Sequence, residues 1–162
     1  MKGVGNMRRI LSFIFAILIV VFAVMPNVYA EAQRDYGNLD MNRWGVFLED
    51  EDRTVLIDKN LIDYKSDYKG NLLSNFWVCH FFTIENKMIM ENITINYNER
   101  TIAVDAFVEY DKEGNLKNSE TFSYPKYNKI IPGTAGEDLL NFFFPKEHIK
   151  EIEIYLKDKD QN

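Results

Sequence analysis

Cys79 and His80 stand side by side in SNFWVCHFF, Ser74 to Phe82, and bring together the thiol and imidazole that a cysteine nucleophile and its base would need. The same run is aromatic and β-branched, so it reads as a buried strand. Neighbouring side chains on a strand point to opposite faces, and the pair is badly placed to meet. Cys79 then reads as a small core hydrophobe. As the single cysteine, it can form no disulfide within the chain, although pairing between two chains stays open. A second stretch, KIIPGTAGEDLLNFFFP from Lys129 to Pro145, has the glycines of a phosphate loop. Such a loop needs a lysine after its second glycine, and here Glu137 and Asp138 follow. Those residues suit a helix start: Thr134 as N-cap, Glu137 closing a capping box, and acids facing the positive end of the dipole.

The other chemical signals are thin. His80 and His148 are far apart and belong to no spaced ligand set, so no zinc site is expected. DKEGN lacks the alternating oxygen ligands of an EF-hand, and Glu49 to Asp52 (EDED) reads as a solvated turn, with weak calcium binding as the alternative. Asn92-Ile93-Thr94 fits a glycosylation acceptor but falls on a strand. No catalytic set, metal or cofactor is expected. His148 reads as a solvated residue after a helix.

The elements around these residues are mostly strands. RWGVFLE from Arg43 and RTVLID from Arg53 form a first hairpin about an acidic turn. Leu61 to Asn75 is punctuated by DYKSDYKGN, with a turn at Gly70-Asn71, ahead of the strand around Trp77. From Met90 to Asp111 the chain alternates: Ile93, Ile95 and Tyr97 share one face, and Ile102, Val104, Ala106 and Val108 share another, with Asn98 to Arg100 as the connection. DKEGN is a further turn, and Pro125 ends the next strand or places it at an edge. No repeated segment is read. Leu139, Leu140, Phe143 and Phe144 make an apolar stripe that would lie on the sheet. Past Pro145, Ile152, Ile154 and Leu156 alternate as in a strand, while Ile149, Ile152 and Leu156 also fit a helix; the strand is the expectation. Short connections without long crossovers call for antiparallel pairing. The expected fold is α+β, an antiparallel sheet of about five to seven strands packed by one carboxy-terminal helix.

Lys2, Arg8 and Arg9 precede an apolar run of 16 residues, Ile10 to Met25, and then Pro26 and Val28-Tyr29-Ala30. This is the layout of a secretory signal peptide over residues 1–30, with an uncleaved anchor as the alternative. A flexible leader over 31–42 and one domain over 43–157 follow. Removing 30 of the 162 residues takes three of 19 basic and none of 25 acidic residues, which leaves 132 residues with a formal charge of −9. That balance disfavours nucleic acid and anionic lipid.

NRWGVFLED, LIDKN, FWV, YDKEGN and above all IIPGTAGE together resemble the surface-adhesin E family of exported bacterial proteins, from about Arg43 to Phe144. The chain lacks the paired cysteines of some members and has a further segment after Pro145. The resemblance implies an antiparallel sheet packed by a helix, and attachment to host cell-surface or extracellular-matrix proteins.

The expected function is therefore an exported envelope or surface binding protein, with periplasmic, cell-surface and extracellular locations all open. It takes a protein partner, does not bind nucleic acid, and does not insert in the membrane after cleavage. The alternatives are a small periplasmic protein with a folding, stress or inhibitory role, and then a secreted enzyme. Nine tyrosines and twelve phenylalanines exceed what a core of this size needs, and tyrosine suits interfaces because its ring buries area while its hydroxyl stays hydrated. Tyr64, Tyr68, Tyr124 and Tyr127, in turn-rich stretches, are the candidate ligand-binding residues.

Overall fold

The computed structural model describes residue 36 and residues 39–159 apart from 86 and 112. The signal peptide expected at 1–30 and most of the leader expected at 31–42 lie outside the described residues. The strands are β1 (Trp44–Glu49), β2 (Arg53–Asp58), β3 (Asp63–Ser66), β4 (Leu72–Phe82), β5 (Lys87–Asn96), β6 (Thr101–Tyr110), β7 (Leu116–Thr121) and β8 (Asn128–Lys129). Two helices follow, α1 (Ala135–Phe143) and α2 (Ile149–Lys159). All pairing is antiparallel in the order β1-β2-β4-β5-β6-β7, with short β3 also beside β4 and short β8 also beside β6. The fold is α+β, with the helices packed on one face of the sheet. Among the described residues no helix is long and apolar enough to cross a membrane.

Alternation along the strands divides the sheet into two faces. On the helix face Val55, Ile57, Phe76, Val78, Ile93 and Ile95 meet Leu139, Leu140, Phe143 and Phe144, so the stripe read from the sequence is the buried side of α1. Phe143 stacks on Phe76 with ring centroids 3.7 Å apart. On the opposite face Trp44, Leu56 and Cys79 are buried, and two described residues of the leader, Tyr36 and Leu39, pack against them. Tyr36 meets Phe81 edge-on at 5.5 Å.

Two expectations are corrected. The segment after Pro145 is the helix α2, because Ile152 and Leu156 turn to the core while Ile154 is left exposed. A strand would have put all three on one face. Second, the alternation of β6 breaks at a bulge: Val104 pairs with Ile93, but Ala106 pairs with Asn92, so Asp105 is the extra residue. Ala106 and Val108 therefore lie on the opposite face from Ile102 and Val104. His148 follows α1, as expected, and stays partly exposed to solvent. Its Nδ1 lies 3.0 Å from Glu151 Oε2, and its carbonyl accepts from the Ile152 N–H in the first turn of α2.

The start of α1 departs from the expected capping box in detail. Thr134 is the N-cap residue, but its hydroxyl donates to the Ile131 carbonyl (2.7 Å) and makes no bond to the helix N–H groups. Glu137 instead accepts from the N–H of Gly133 (2.9 Å) and from Arg100 on the β5–β6 connection (2.6 Å). These two bonds hold the Glu137 carboxyl below its usual range, the Gly133 N–H having the larger effect. The ion pair ties the helix start to the sheet.

One turn is built twice. Asp67 to Asn71 (DYKGN) and Asp111 to Asn115 (DKEGN) share the pattern D-x-x-G-N, a recurrence not read from the sequence. In each, the aspartate Oδ1 accepts from the N–H two residues on and from the asparagine N–H (2.8 and 2.9 Å; 3.0 and 2.8 Å). The glycine takes a positive φ, 81° at Gly70 and 79° at Gly114, which a side chain would strain.

Candidate functional site

The four candidate tyrosines divide on burial. Tyr68 sits in the D-x-x-G-N turn between β3 and β4 and is 93% exposed, with Lys69 Nζ 5.5 Å from its ring centroid. Tyr124, between β7 and β8, is 96% exposed, and Tyr127 is 45% exposed. Tyr64 on β3 is instead packed between sheet and helix. Its hydroxyl donates to the Phe143 carbonyl (2.9 Å), and its ring meets Phe144 edge-on at 5.7 Å. Burial raises its phenol pKa well above the ordinary value. Tyr64 is thus largely covered rather than open to a partner, because the carboxy terminus of α1 lies over its ring.

Partial burial, and then the charges of Asp105, Asp67 and Glu99, raise the Tyr127 phenol pKa. Asp67 is in turn fixed by Asn71, whose side-chain amide donates to Asp67 Oδ2 (2.8 Å). Tyr68 is therefore exposed on backbone that is held in place, which lowers the entropy lost when a partner covers it.

The thiol and imidazole fall apart as strand geometry requires. Cys79 faces the side of Trp44 and Leu56, where burial pushes its thiol up to about 12. His80 points to the helix side, and its Nε2 lies 3.0 Å from Glu91 Oε2. Among the described residues, no group of three or more His, Cys, Asp or Glu is arranged to hold a metal ion.

Sequence reasoning missed two arrangements. The first is a cleft of about 220 Å³ on the helix side of the sheet, beyond the start of α1. Its walls include Phe47, Val55, Val78, Ile93, Val104 and Leu139, while Arg53, His80 and Glu91 supply polar groups. It forms because α1 covers only part of the sheet. The second is a hydrogen-bonded cluster on the opposite face. The Asn75 amide donates to Asn92 Oδ1 (2.9 Å), Thr94 Oγ1 (3.0 Å) and Asp105 Oδ2 (3.2 Å), and the Thr94 hydroxyl donates to Asp105 Oδ2 (2.5 Å). The bulge in β6 supplies Asp105 to this cluster. Asn92 and Thr94, the ends of the glycosylation pattern, are both engaged in it.

No protein-family model, curated protein or solved structure matches this chain.

Proposed function

We infer that the chain is an exported binding protein of the cell envelope or exterior, which attaches to a protein partner through Tyr68, Tyr124 and Tyr127. The observation that carries this reading is the near-complete exposure of Tyr68 on a turn locked by Asp67 and Asn71. Large aromatic area left in water on a fixed backbone suits an interface anchor, since rings of this kind dominate binding energy where they become desolvated. The expected attachment to host cell-surface or matrix proteins supplies the kind of partner, and it rests on the resemblance of IIPGTAGE and its upstream segments to adhesin E. Against a cysteine-based enzyme stand the raised pKa of Cys79 and the placement of His80 on the other face.

The test replaces Tyr68, Tyr124 and Tyr127 by Ser, one at a time, in the mature chain. At least one change should weaken binding to a captured protein partner by more than ~1 kcal/mol while the melting temperature holds. Three variants that bind as the parent does would sink the reading.

A further inference from the structure

We propose that the cleft beyond the start of α1 receives one large apolar side chain of a peptide segment, with the adjoining backbone lying along the polar rim of Arg53, His80 and Glu91. This deepens the protein-binding reading and rests on it. The cleft holds about 220 Å³, and a dry cavity of roughly 150 Å³ accommodates benzene, so a phenylalanine or leucine side chain fits. Its walls are aliphatic and aromatic: Phe47 from β1, Val55 from β2, Val78 from β4, Ile93 from β5, Val104 from β6 and Leu139 from α1.

The polar groups lining the cleft decide the guest. Arg53 offers N–H donors and positive charge, while Glu91 offers carboxylate oxygens and negative charge. His80 is already directed at Glu91, 3.0 Å away. A carboxylate guest would be drawn to Arg53 and repelled by Glu91, and an ammonium guest would meet the reverse. A peptide backbone carries donors and acceptors without net charge, so one of its C=O groups can take an Arg53 N–H while another peptide N–H donates to Glu91. An apolar side chain beside such groups is the ordinary content of a protein surface loop or chain terminus. Occupied hydrophobic pockets of this kind are where binding energy concentrates in protein interfaces.

The test uses the mature chain, isotope-labelled for NMR, and two probes, N-acetylphenylalanine amide and N-acetylglycine amide. The phenylalanine probe should shift the methyl signals of Val55, Val78, Ile93, Val104 and Leu139. It should bind at least about tenfold more tightly than the glycine probe, as burial of a phenyl ring predicts. Ala135→Trp, at the cleft rim on the exposed first residue of α1, should abolish these shifts with the melting temperature unchanged. Should that variant unfold, Leu48→Trp at another part of the rim serves the same purpose. Arg53→Gln should weaken the phenylalanine probe several-fold. Equal binding of both probes, shifts confined to other regions, or tighter binding of phenylacetate or phenethylamine than of the neutral amide would overturn the proposal. The tyrosine reading is read out separately: if the probe fails to bind while the Tyr68, Tyr124 and Tyr127 variants still lose the partner, the cleft assignment falls and the binding function stands.

Discussion

Tyr64 gives the sharpest division between packing and binding, because its neighbours and those of Tyr68 predict opposite results for the same substitution. In Tyr64→Phe the ring stays, and the Phe143 carbonyl at the end of α1 loses the hydroxyl that donates to it at 2.9 Å. Helix ends leave carbonyls without intrahelical partners, and loss of one such bond costs ~0.5–1.5 kcal/mol. Tyr64→Ser also removes the ring that packs edge-on against Phe144. Truncating a buried aromatic costs ~3–5 kcal/mol, and the partial exposure of Tyr64 argues for the lower end. Tyr68→Ser and Tyr124→Ser, at exposed positions, should stay within ~0.5 kcal/mol of the parent. Urea unfolding followed by the fluorescence of Trp44 and Trp77 measures all four. The phenol adds a pH signature with a definite sign. Its pKa is raised by burial from an ordinary 10.0, so its contribution is fully present below that value and is lost as pH rises through the folded-state value. Wild-type stability in Tyr64→Phe together with a loss under ~1 kcal/mol in Tyr64→Ser would refute this placement of the side chain.

The helix start gives an ordering: Glu137→Ala should lower the melting temperature more than Thr134→Ala, since Glu137 holds the Gly133 N–H and Arg100 whereas Thr134 bonds only the Ile131 carbonyl. The lowered Glu137 pKa also requires that its contribution be present above the ordinary 4.5 and lost as pH falls through the folded-state value, which an acid titration of the parent against Glu137→Gln would show. Cys79 should resist a thiol reagent at about pH 8 in the native protein and react fully in denaturant; rapid native labelling would contradict its burial. Export with cleavage after Ala30 gives an amino terminus at Glu31, and intact mass spectrometry of the exported protein decides between this and a retained full-length species.

Much of the sheet was legible because hairpins advertise themselves locally. The Arg43 to Asp58 pair, the Trp77 strand and the Met90 to Asp111 hairpin all carry apolar runs bounded by turn residues. The bulge was not, because alternation is assumed to continue until something stops it. The weak sign was Ala106-Phe107-Val108, three apolar residues in a row where one face should have been polar. For α2 the apolar residues alone fit either period. Charge adds only a weak signal: Glu151 in the first turn and Lys157 and Lys159 in the last match a helix dipole, while Lys150 and Asp158 oppose it. The double D-x-x-G-N turn could have been found by aligning the two turns, and it would have singled out Tyr68 as rigidly presented. Tyr64 was misread because a turn-rich neighbourhood says nothing about which helix lies over it. The cleft, too, depends on how far α1 reaches across the sheet, a long-range fact that no local pattern carries.

The most direct measurement of the proposed binding function immobilises residues 31–162 and their triple variant Tyr68→Ser, Tyr124→Ser, Tyr127→Ser side by side, and compares the exterior or envelope proteins each retains. Both should melt at the same temperature, and the parent alone should retain a partner, with affinity falling by more than ~1 kcal/mol in the variant. A folded triple variant that retains the same partner with undiminished affinity would contradict the assignment of these tyrosines to the binding surface.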